Sequence, residues 1–383
     1  MWKVPLFNLN YDEREARAVA ETIESGWLTM GPKTAAFEDA FSRYLGGAVS
    51  ALAVSSCTAA IHLSLLAAGI GPGDEVIISG LSFVACLNVV TLVGATPVLA
   101  DSCSLTDWNV SVKDIETKIS SKTKAILVVH FAGYPCDVAA LQCLSKRHRL
   151  LLIEDVAHAV GASVGGEKCG TFGDVSCFSF FTNKNLSVGE GGMVVTRHPD
   201  LAEKLRLLRS HGMTSLTVDR HNKRSLSYDV LVPGLNYRLD EIRSSLGLVQ
   251  LEKLDTSNTC RGGNVSRYLA LLAEKKGLVV PWPEVVENVT PAYHIFPILM
   301  PKGIPRKWLM ERLRDRGIQT SLHYPAYNDF RAYHGALKGD VPVADEVSQR
   351  VLTLPLYATL KPEQIEAVCE ALLQGIDEYD AHA

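Results

Sequence analysis

A single lysine stands between an apolar run and a glycine-rich turn at residues 177–192, CFSFFTNKNLSVGEGG. Lys184 follows Ser179 by five positions, among apolar, small and amide residues. An amine at the end of a strand can form an imine with an aldehyde, and partial desolvation or a nearby phosphate would adjust its reactivity. The alternative is a lysine whose charged head simply reaches solvent. This segment alone leaves both interpretations open.

An aspartate directly follows the apolar run at residues 150–154, in LLLIEDVAH. Ligands of open parallel α/β sheets bind at the carboxyl ends of the strands, which is where Asp155 would lie. A carboxylate beside an apolar core is costly to bury without a cationic partner, and a protonated pyridine nitrogen would be such a partner. A helix-capping aspartate is the alternative. His158 could reach the same site, although a lone histidine more often has a structural role.

A turn of small residues joins a strand to a helix at residues 54–60, VSSCTAA. The backbone N–H groups of Cys57 and Thr58 would lie at the start of the helix, where the helix dipole favours an anion such as phosphate. Ser56 could instead be only the N-cap of an ordinary helix, and on its own the segment favours that interpretation.

One cofactor needs all three features together. Pyridoxal 5'-phosphate (PLP) requires a phosphate cradle, an anion opposite its ring nitrogen and a lysine that binds its aldehyde as a Schiff base. Asp155 would keep the ring nitrogen protonated, so that the ring accepts electrons. Lys184, once displaced by a substrate, would carry a proton between the substrate carbon and the cofactor.

The elements that must position these residues alternate along the chain. Short β-branched and aliphatic runs, several of them apolar throughout, are typical of strands covered on both faces. They span residues 51–54, 75–79, 97–100, 125–130, 150–154, 175–180 and 192–196. Helical patterns occupy residues 58–68, 138–147, 199–211 and 240–255. The alternation predicts an α/β fold with a mainly parallel sheet, whose strand order the sequence does not reveal.

The pattern changes in the second half of the chain. We expect Gly69 to end the helix at 58–68 and Asp240 to cap the helix at 240–255. A polar loop is predicted over residues 214–227. From residue 256 onward the pattern is α+β: a long helix, a strand at 294–300, a helix at 306–316, a loop with several prolines and a helix at 361–378. We therefore predict a large domain over residues 1–255 and a small C-terminal domain over residues 256–383.

Composition limits the class of protein. The 383 residues are 47% hydrophobic and 21% charged with a formal net charge of -4, so no basic excess favours a nucleic acid or an anionic membrane. The nine cysteines include no C-x-x-C pair and no zinc-type spacing with histidine, which indicates reduced thiols, a cytoplasmic protein and no metal site. No stretch approaches the roughly 18 apolar residues of a membrane helix, and the N-terminus has no signal-peptide pattern.

Beyond these features, the chain resembles the DegT/DnrJ/EryC1/StrS family of PLP-dependent sugar aminotransferases, nearly from end to end. Matching segments include SSCTAAIHLSLLAAGIGPGDEVI, LIEDVAHAVGA, FSFFTNKNLSVGEGGMVVT, GLNYRLDEIRSSLGLVQLEKLD and TSLHYP. The resemblance implies fold type I of the PLP-dependent transferases. In that fold a large domain has a mostly parallel seven-stranded sheet between helices, and a smaller α+β domain follows.

The resemblance also implies roles for individual residues. Lys184 matches the Schiff-base lysine, Asp155 the partner of the ring nitrogen, and His158 the position beside the 3'-oxygen. The other matches to cofactor contacts are Phe83, which would stack on the ring, and Cys57, Thr58 and Ser179, which would contact the phosphate. For Phe83, a place in the core is the alternative that its residue type alone favours.

One match implies a second subunit. Asn236, in GLNYR, resembles the asparagine that reaches the phosphate of the neighbouring subunit's PLP, which implies a homodimer with a shared active site. Cys57 replaces the glycine common in the phosphate turn, which weakens close backbone approach but leaves the N–H donors. Some family members carry histidine in place of the lysine and dehydrate the sugar, so Lys184 indicates transamination.

The implied reaction is ping-pong. L-Glutamate would convert PLP to pyridoxamine 5'-phosphate (PMP) and leave as 2-oxoglutarate, and a keto sugar would then take the amine. Family members usually act on a 3- or 4-keto-6-deoxyhexose attached to a nucleoside diphosphate. The positions that match the substrate side are Trp27, Thr29, His323 and Tyr324, with Arg238 meeting a sugar-nucleotide phosphate from across the dimer. Each of these residues could equally be a packing residue.

Three alternatives remain. The same scaffold could aminate a keto-cyclitol or another small ketone. A non-catalytic, regulatory relative is a second alternative, against which the intact set of Ser179, Lys184 and Asp155 argues. A nicotinamide-dependent dehydrogenase is disfavoured because no G-x-G-x-x-G stands between a strand and a helix.

Overall fold

The computed structural model describes residues 2–215, 227–273, 277–284, 286–335 and 337–381. Of the polar loop predicted over residues 214–227, only Thr214, Ser215 and Ser227 fall in these ranges, so that prediction lies outside the described residues. Within these ranges, no helix combines the length and the apolar character needed to cross a membrane.

A seven-stranded sheet forms the centre of the larger part of the molecule. Its strands are β1 (Ser50–Val54), β2 (Glu75–Ser79), β3 (Thr96–Ala100), β4 (Thr123–Val129), β5 (Leu151–Asp155), β8 (Val175–Ser179) and β9 (Gly192–Thr196). Their order is β1-β9-β8-β5-β4-β2-β3. β9 runs antiparallel to both neighbours, and the other neighbouring pairs are parallel. The prediction of a mostly parallel sheet is therefore confirmed.

Both faces of this sheet are buried, as its apolar runs predict. Successive residues of a strand point to opposite faces, so Ile77 and Ile78 enter different apolar clusters. The helices around the sheet are α1 (Glu13–Glu24), α2 (Pro32–Tyr44), α3 (Cys57–Ala67), α4 (Ala85–Leu92), α5 (Val112–Thr117), α6 (Val138–His148), α7 (Pro199–Arg209) and α8 (Glu241–Leu272).

Local sequence determines where α3 begins and ends. The Ser56 side chain accepts a hydrogen bond from the N–H of Ala59 (3.1 Å), which makes it the N-cap. Gly69, just beyond the last turn, has φ of +72°, in the left-handed region that glycine adopts without strain. Since α3 starts directly after β1, its first residues, Cys57 and Thr58, lie at the carboxyl edge of the sheet.

One long helix crosses the predicted domain boundary. The sequence predicts a helix at 240–255 and another beyond residue 256, whereas the structure joins them in α8. No proline or C-cap glycine stands between residues 250 and 260 to end the helix. Asp240 caps α8 as predicted, by accepting a hydrogen bond from the N–H of Arg243 (2.9 Å). The division at residue 255 stays a prediction.

The C-terminal part has its own small sheet and core. Strands β11 (Phe296–Leu299) and β12 (Val351–Leu354) pair antiparallel, and α9 (Arg306–Asp315), α10 (Pro342–Arg350) and α11 (Pro362–Asp380) accompany them. Tyr268, Ile298 and Leu372 belong to an apolar cluster of this part. A further small antiparallel sheet contains β6 (Ser163–Val164), β7 (Glu167–Lys168) and β10 (Val289–Thr290).

One predicted segment is wrong. The proline-containing loop expected before residue 361 includes α10 and β12. Pro342 is the first residue of α10, a position where proline needs no N–H and its fixed φ suits the helix. In the sequence, a proline that starts a helix looks the same as one in irregular structure.

Candidate active site

A cavity of about 360 Å³ opens at the carboxyl edge of the large sheet. Nine of the thirteen residues singled out from the sequence line it: Cys57, Thr58, Phe83, Asp155, His158, Ser179, Lys184, His323 and Tyr324. They come from the ends of β5 and β8, the start of α3, the loops after β2, β5 and β8, and the C-terminal part. A cavity of this size suits a small-molecule ligand.

Lys184 lies in the loop after β8, with a partly buried side chain. Its backbone N–H donates to the carbonyl oxygen of Phe181 (2.9 Å), and its Nζ lies 3.3 Å from Nε2 of His294. Burial lowers the pKa of the amine to about 8, although the nearby Asp155 and Cys57 partly oppose this shift. More of the amine is therefore neutral, and nucleophilic, near neutral pH than in an exposed lysine.

Asp155 ends β5 and is 5% exposed. Its Oδ1 accepts hydrogen bonds from the N–H of Ala157 (2.9 Å) and the thiol of Cys57 (3.7 Å), and its Oδ2 accepts from the thiol of Cys86 (3.3 Å). Burial raises the pKa of Asp155 above its usual value, opposed mainly by the hydrogen bond from Ala157. No salt bridge joins it to another described residue. A cation in the cavity would supply the partner that a buried carboxylate requires.

His158 and Tyr324 form one wall of the cavity. The N–H of Ala132 donates to Nδ1 of His158 (3.2 Å), so the neutral ring carries its proton on Nε2, which lies 2.9 Å from the Tyr324 hydroxyl. Burial lowers the pKa of His158 well below its usual value, which keeps the ring neutral. Its Nε2–H is therefore a donor at the cavity wall, where it meets the Tyr324 hydroxyl oxygen.

Phe83 and His323 complete the rim. Phe83 is 54% exposed, with its ring 5.6 Å from that of Tyr324, so it is not the core residue that its type alone favours. His323 is buried, and its Nδ1 lies 2.9 Å from Oγ1 of Thr353 in β12. Burial lowers the pKa of His323 to about 3, so this imidazole is also neutral near pH 7.

The start of α3 and the end of β8 border one side of the cavity. The first N–H groups of a helix have no partners within the helix, and its dipole favours an anion there. Cys57, Thr58 and Ser179 all line this side. Gly192 of β9 packs closely beneath the turn, since a Cβ atom on it would lie 2.7 Å from the backbone nitrogen of Cys57. The arrangement can hold a phosphate group.

Trp27, Thr29, Asn236 and Arg238 do not line this cavity. Trp27 packs against Gly31, and Thr29 and Asn236 are exposed. Arg238 has a buried Nη1 atom without a hydrogen-bond partner in the described part of the chain. The resemblance assigns Asn236 and Arg238 to the site of a second subunit, and the roles of all four residues stay predictions.

Two residues at the site were not predicted from the sequence. Cys86 stands three residues after Phe83, and its thiol contacts Asp155. His294 contacts the Lys184 amine from outside the cavity lining. The only signal for His294 was its position at the start of an apolar strand pattern, where a histidine is unusual.

A second cavity, of about 380 Å³, lies elsewhere, beside Tyr134 and Trp282. These two rings stack with centroids 4.3 Å apart, and Nε1 of Trp282 donates to Asp107 (2.9 Å). No lysine and none of the thirteen predicted residues lines this cavity. The residues predicted to carry the chemistry therefore gather at the cavity beside Lys184 and not at this one.

The residues of that cavity fit PLP. Asp155 is a buried carboxylate among neutral donors, as a protonated ring nitrogen requires, and Lys184 is a partly neutral amine within the same cavity. The start of α3 supplies N–H groups for a phosphate. One small cavity thus brings together a carboxylate, a lysine amine and a helix start, the three features expected of a PLP site.

Comparisons with known sequences agree with this fit. The profile of the DegT/DnrJ/EryC1/StrS aminotransferase family matches residues 10–373. The chain is 37% identical over 376 residues to the spore coat polysaccharide biosynthesis protein SpsC of Bacillus subtilis, which covers 95% of this chain and 96% of SpsC. Such identity over nearly the full length of both chains shows a common family.

Solved structures lead to the same family. PseC of Helicobacter pylori, an aminotransferase involved in the biosynthesis of pseudoaminic acid, has a TM-score of 0.89 at 30% identity over 99% of both chains. Spr1654 of Streptococcus pneumoniae in its PMP form has a TM-score of 0.90 at 27% identity over 99% of both chains, and its PLP form also matches. The predicted fold type I is therefore confirmed. The chain belongs to the DegT/DnrJ/EryC1/StrS aminotransferase family, and its cofactor is PLP.

Proposed function

We propose that this aminotransferase moves an amino group from L-glutamate to a keto sugar carried on a nucleoside diphosphate, in a ping-pong reaction. The observation that carries the proposal is the single cavity that joins the Lys184 amine, the buried Asp155 and the start of α3. The names of two relatives support a sugar as acceptor: SpsC is named for spore coat polysaccharide biosynthesis, and PseC for the biosynthesis of pseudoaminic acid.

Each of these cavity residues would contact a different part of the cofactor. PLP, when bound, supplies an electron sink for the carbanion of the substrate. Lys184 would hold its aldehyde carbon, Asp155 would balance the charge of its ring nitrogen, and His158 would donate Nε2–H to its 3'-oxygen. Phe83 would cover the ring, and the residues at the phosphate would be Cys57, Thr58 and Ser179.

Lys184 has a second task in the proposed reaction. Once the substrate has displaced it from the cofactor, its free amine would take a proton from the substrate carbon and deliver it to C4' of the cofactor. A pKa of about 8 suits this role, because the amine and the ammonium then coexist near neutral pH.

The acceptor would lie on the open side of the cavity. His323 and Tyr324 line the cavity, and Trp27 and Thr29, which lie outside its lining, are further proposed substrate residues. Nη1 of Arg238 is buried without a partner among the described residues, and burial, then the nearby Arg209, lowers the pKa of its guanidinium. A phosphate oxygen of a nucleotide bound in a second subunit would satisfy this atom.

The proposed enzyme is a homodimer in the cytoplasm. Asn236, exposed and outside the cavity of its own chain, would reach the phosphate of the partner subunit's cofactor. Tyr228, Val230 and Leu231, close to it in the chain, expose 54%, 51% and 58% of their surface, which suits an interface. All nine cysteines lie in the described ranges and are free, which supports a reducing compartment.

The donor half of the reaction has a direct test. Protein loaded with PLP and mixed with L-glutamate alone should release one 2-oxoglutarate per site and convert PLP to PMP, as followed by absorbance. The ping-pong proposal fails if 2-oxoglutarate appears only when a ketone is also present.

The acceptor is identified by supplying ketones to the resulting PMP form. We expect a nucleoside-diphosphate-linked keto-6-deoxyhexose to restore the PLP spectrum and to yield an amino sugar by mass spectrometry. The matched free sugar and a keto-cyclitol serve as competitors. Faster turnover of the cyclitol would replace the sugar-nucleotide proposal with cyclitol amination.

A further inference from the structure

A buried histidine lies behind the Lys184 amine. The side chain of His294 is 2% exposed, and its Nε2 lies 3.3 Å from Nζ of Lys184. The ring also contacts that of His158, with centroids 4.5 Å apart. His294 does not line the cavity, so its ring contacts the amine from outside the space that cofactor and substrate would occupy.

Two backbone carbonyl groups determine the orientation of the Asn258 and Asn185 side-chain amides, which lead to His294. Nδ2 of Asn258 donates to the carbonyl oxygen of Val160 (3.0 Å), so Oδ1 of Asn258 faces Asn185 as an acceptor. Nδ2 of Asn185 donates to that Oδ1 (2.7 Å) and to the carbonyl oxygen of Ala292 (2.7 Å). A carbonyl oxygen can only accept, so neither amide can be turned round without losing a hydrogen bond.

The orientation of Asn185 determines the tautomer of His294. Oδ1 of Asn185 lies 3.0 Å from Nδ1 of His294 and can only accept, so Nδ1 carries the proton. Burial, and then the charge of Lys184, lowers the pKa of His294 well below its usual value, so the ring is neutral. Nε2 is consequently a bare acceptor, and the atom that it faces, Nζ of Lys184, must be the donor.

We propose that His294 is a positioning residue: its Nε2 accepts a hydrogen bond from the free Lys184 amine and so keeps the lone pair of that amine turned toward the cavity. This inference rests on the proposed function, in which Lys184 is periodically released from the cofactor. One N–H of the amine is then engaged by His294, and the remaining positions face the substrate side. Without this acceptor the freed side chain could rotate away from the carbon whose proton it must take.

The alternative is a histidine that only fills space between Lys184 and His158. The two roles differ in what they require of the ring. Packing requires a flat ring of this size, whereas positioning requires an unprotonated nitrogen at Nε2. The two roles are therefore distinguished by one variant that keeps the ring but lacks the acceptor and another that keeps an acceptor but lacks the ring.

The first test measures which ring nitrogen of His294 carries the proton in cofactor-free protein. Histidine labelled with ¹³C and ¹⁵N reports by NMR which ring nitrogen carries the proton, and His294→Gln removes one signal and so assigns it. We expect a proton on Nδ1 and none on Nε2 at neutral pH. A proton on Nε2 of His294 would overturn the inference.

The second test uses a pair of variants. His294→Phe keeps a ring against His158 but removes the acceptor, whereas His294→Gln carries a side-chain oxygen close to the position of Nε2. We expect His294→Phe to lower kcat roughly 10- to 100-fold with little change in KM for L-glutamate, and to slow covalent attachment of PLP to the cofactor-free protein. We expect His294→Gln to retain most of both rates. His148→Gln, at an exposed surface position, controls for the substitution itself.

Equal rates for the Phe and Gln variants would mean that His294 only packs, and would overturn the inference. Should His294→Phe not fold, as judged by its thermal unfolding, the labelled ring of the wild-type protein decides alone. Failure of the proposed function is recognised separately. If wild-type protein gives no borohydride-trappable adduct at Lys184, the function fails, whereas a normal adduct with equal variants refutes only the role of His294.

Discussion

Burial shifts the two central side chains of the site in opposite directions. It lowers the pKa of the Lys184 amine to about 8 and raises the pKa of the Asp155 carboxyl group, because a low-dielectric environment disfavours both charged forms. Among the described residues, the hydrogen-bond donors to Asp155 are the neutral groups of Ala157, Cys57 and Cys86. The residues are thus arranged for a ligand that brings a cation to the carboxylate and an aldehyde to the amine.

The shift at Lys184 predicts how cofactor attachment depends on pH. The neutral amine is the nucleophile, and a lowered pKa makes it abundant at a lower pH. The rate at which cofactor-free protein bonds to PLP should therefore rise through about pH 8 and level off above it. Stopped-flow absorbance across a pH series measures this rate. A rate that keeps rising to the range of an ordinary lysine, about pH 10.4, would contradict the prediction.

Replacing the carboxylate tests Asp155. Asp155→Asn keeps the shape and removes the charge, so PLP should still attach to Lys184 while transamination slows by roughly 100-fold or more. The unfolding temperature of the cofactor-free variant should not fall, since an unpaired buried charge has been removed. Turnover and thermal unfolding are measured together. Full activity in this variant would exclude the assigned role.

Sequence patterns could identify Lys184, Asp155 and the start of α3, because each lies at or shortly after the end of an apolar strand. They could not identify Cys86 or His294. These two residues reach the site through tertiary packing, from α4 and from the segment before β11, and neither stands in a pattern of its own. The tautomer of His294 depends on Asn185 and Asn258, which are far apart in the chain.

At the scale of elements, β9 and α3 are in close contact at the side of the cavity that we propose for the phosphate. A Cβ atom at Gly192 would lie 2.5 Å from the carbonyl carbon of Ser56 and 2.7 Å from the backbone nitrogen of Cys57. A second such anchor joins α2 to α8, where the Glu241 carboxylate accepts from the N–H groups of Gly31 and Thr34. Because backbone groups take part in both contacts, a larger side chain at either contact would force the elements apart.

The contact at Gly192 predicts a coupled loss. Gly192→Ala should displace the start of α3, weaken PLP binding and destabilise the protein by about 1–3 kcal/mol. Gly263→Ala is the matched control, because a Cβ atom there meets nothing within 4 Å and alanine suits the interior of α8. Urea unfolding and titration with PLP measure both effects. Unchanged PLP affinity in Gly192→Ala would show that β9 does not hold the phosphate site.

The positions of the seven strands of the large sheet were predictable because each is a short apolar run. The order of the strands and the antiparallel direction of β9 were not, since neither leaves a local mark in the sequence. The same limit explains α8, whose two predicted halves join because nothing between them ends a helix. At Pro342 the error is the reverse: the sequence predicts a loop where the structure has a helix. Pro342 starts α10, but a proline also resembles a helix breaker.

At the scale of the whole molecule, one chain leaves part of the predicted site unused. Asn236 is exposed and Arg238 has a buried, unpartnered Nη1 atom within the described ranges, yet neither lines the cavity of its own chain. The neighbouring residues Tyr228, Val230 and Leu231 expose apolar surface. In a dimer that buries this surface, Asn236 and Arg238 of each chain would reach the cavity of the other chain.

A shared site predicts complementation between two defective chains. Lys184→Ala lacks the attachment amine, and Asn236→Asp places a negative charge beside the partner's phosphate, so each should be nearly inactive alone. Co-expressed with different affinity tags and purified as mixed dimers, they should regain activity, because one site then receives an intact lysine and an intact asparagine. Activity no greater than the sum of the separate variants would place the complete site within one chain.

The central claim is that the Lys184 amine holds PLP, and borohydride reduction tests it most directly. Purified protein is mixed with PLP, reduced, digested and analysed by peptide mass spectrometry, with Lys184→Ala as control. We predict a coloured protein before reduction and one phosphopyridoxyl group on the peptide that contains Lys184, absent from the control. A colourless protein, or an adduct that persists in Lys184→Ala at another lysine, would contradict the account.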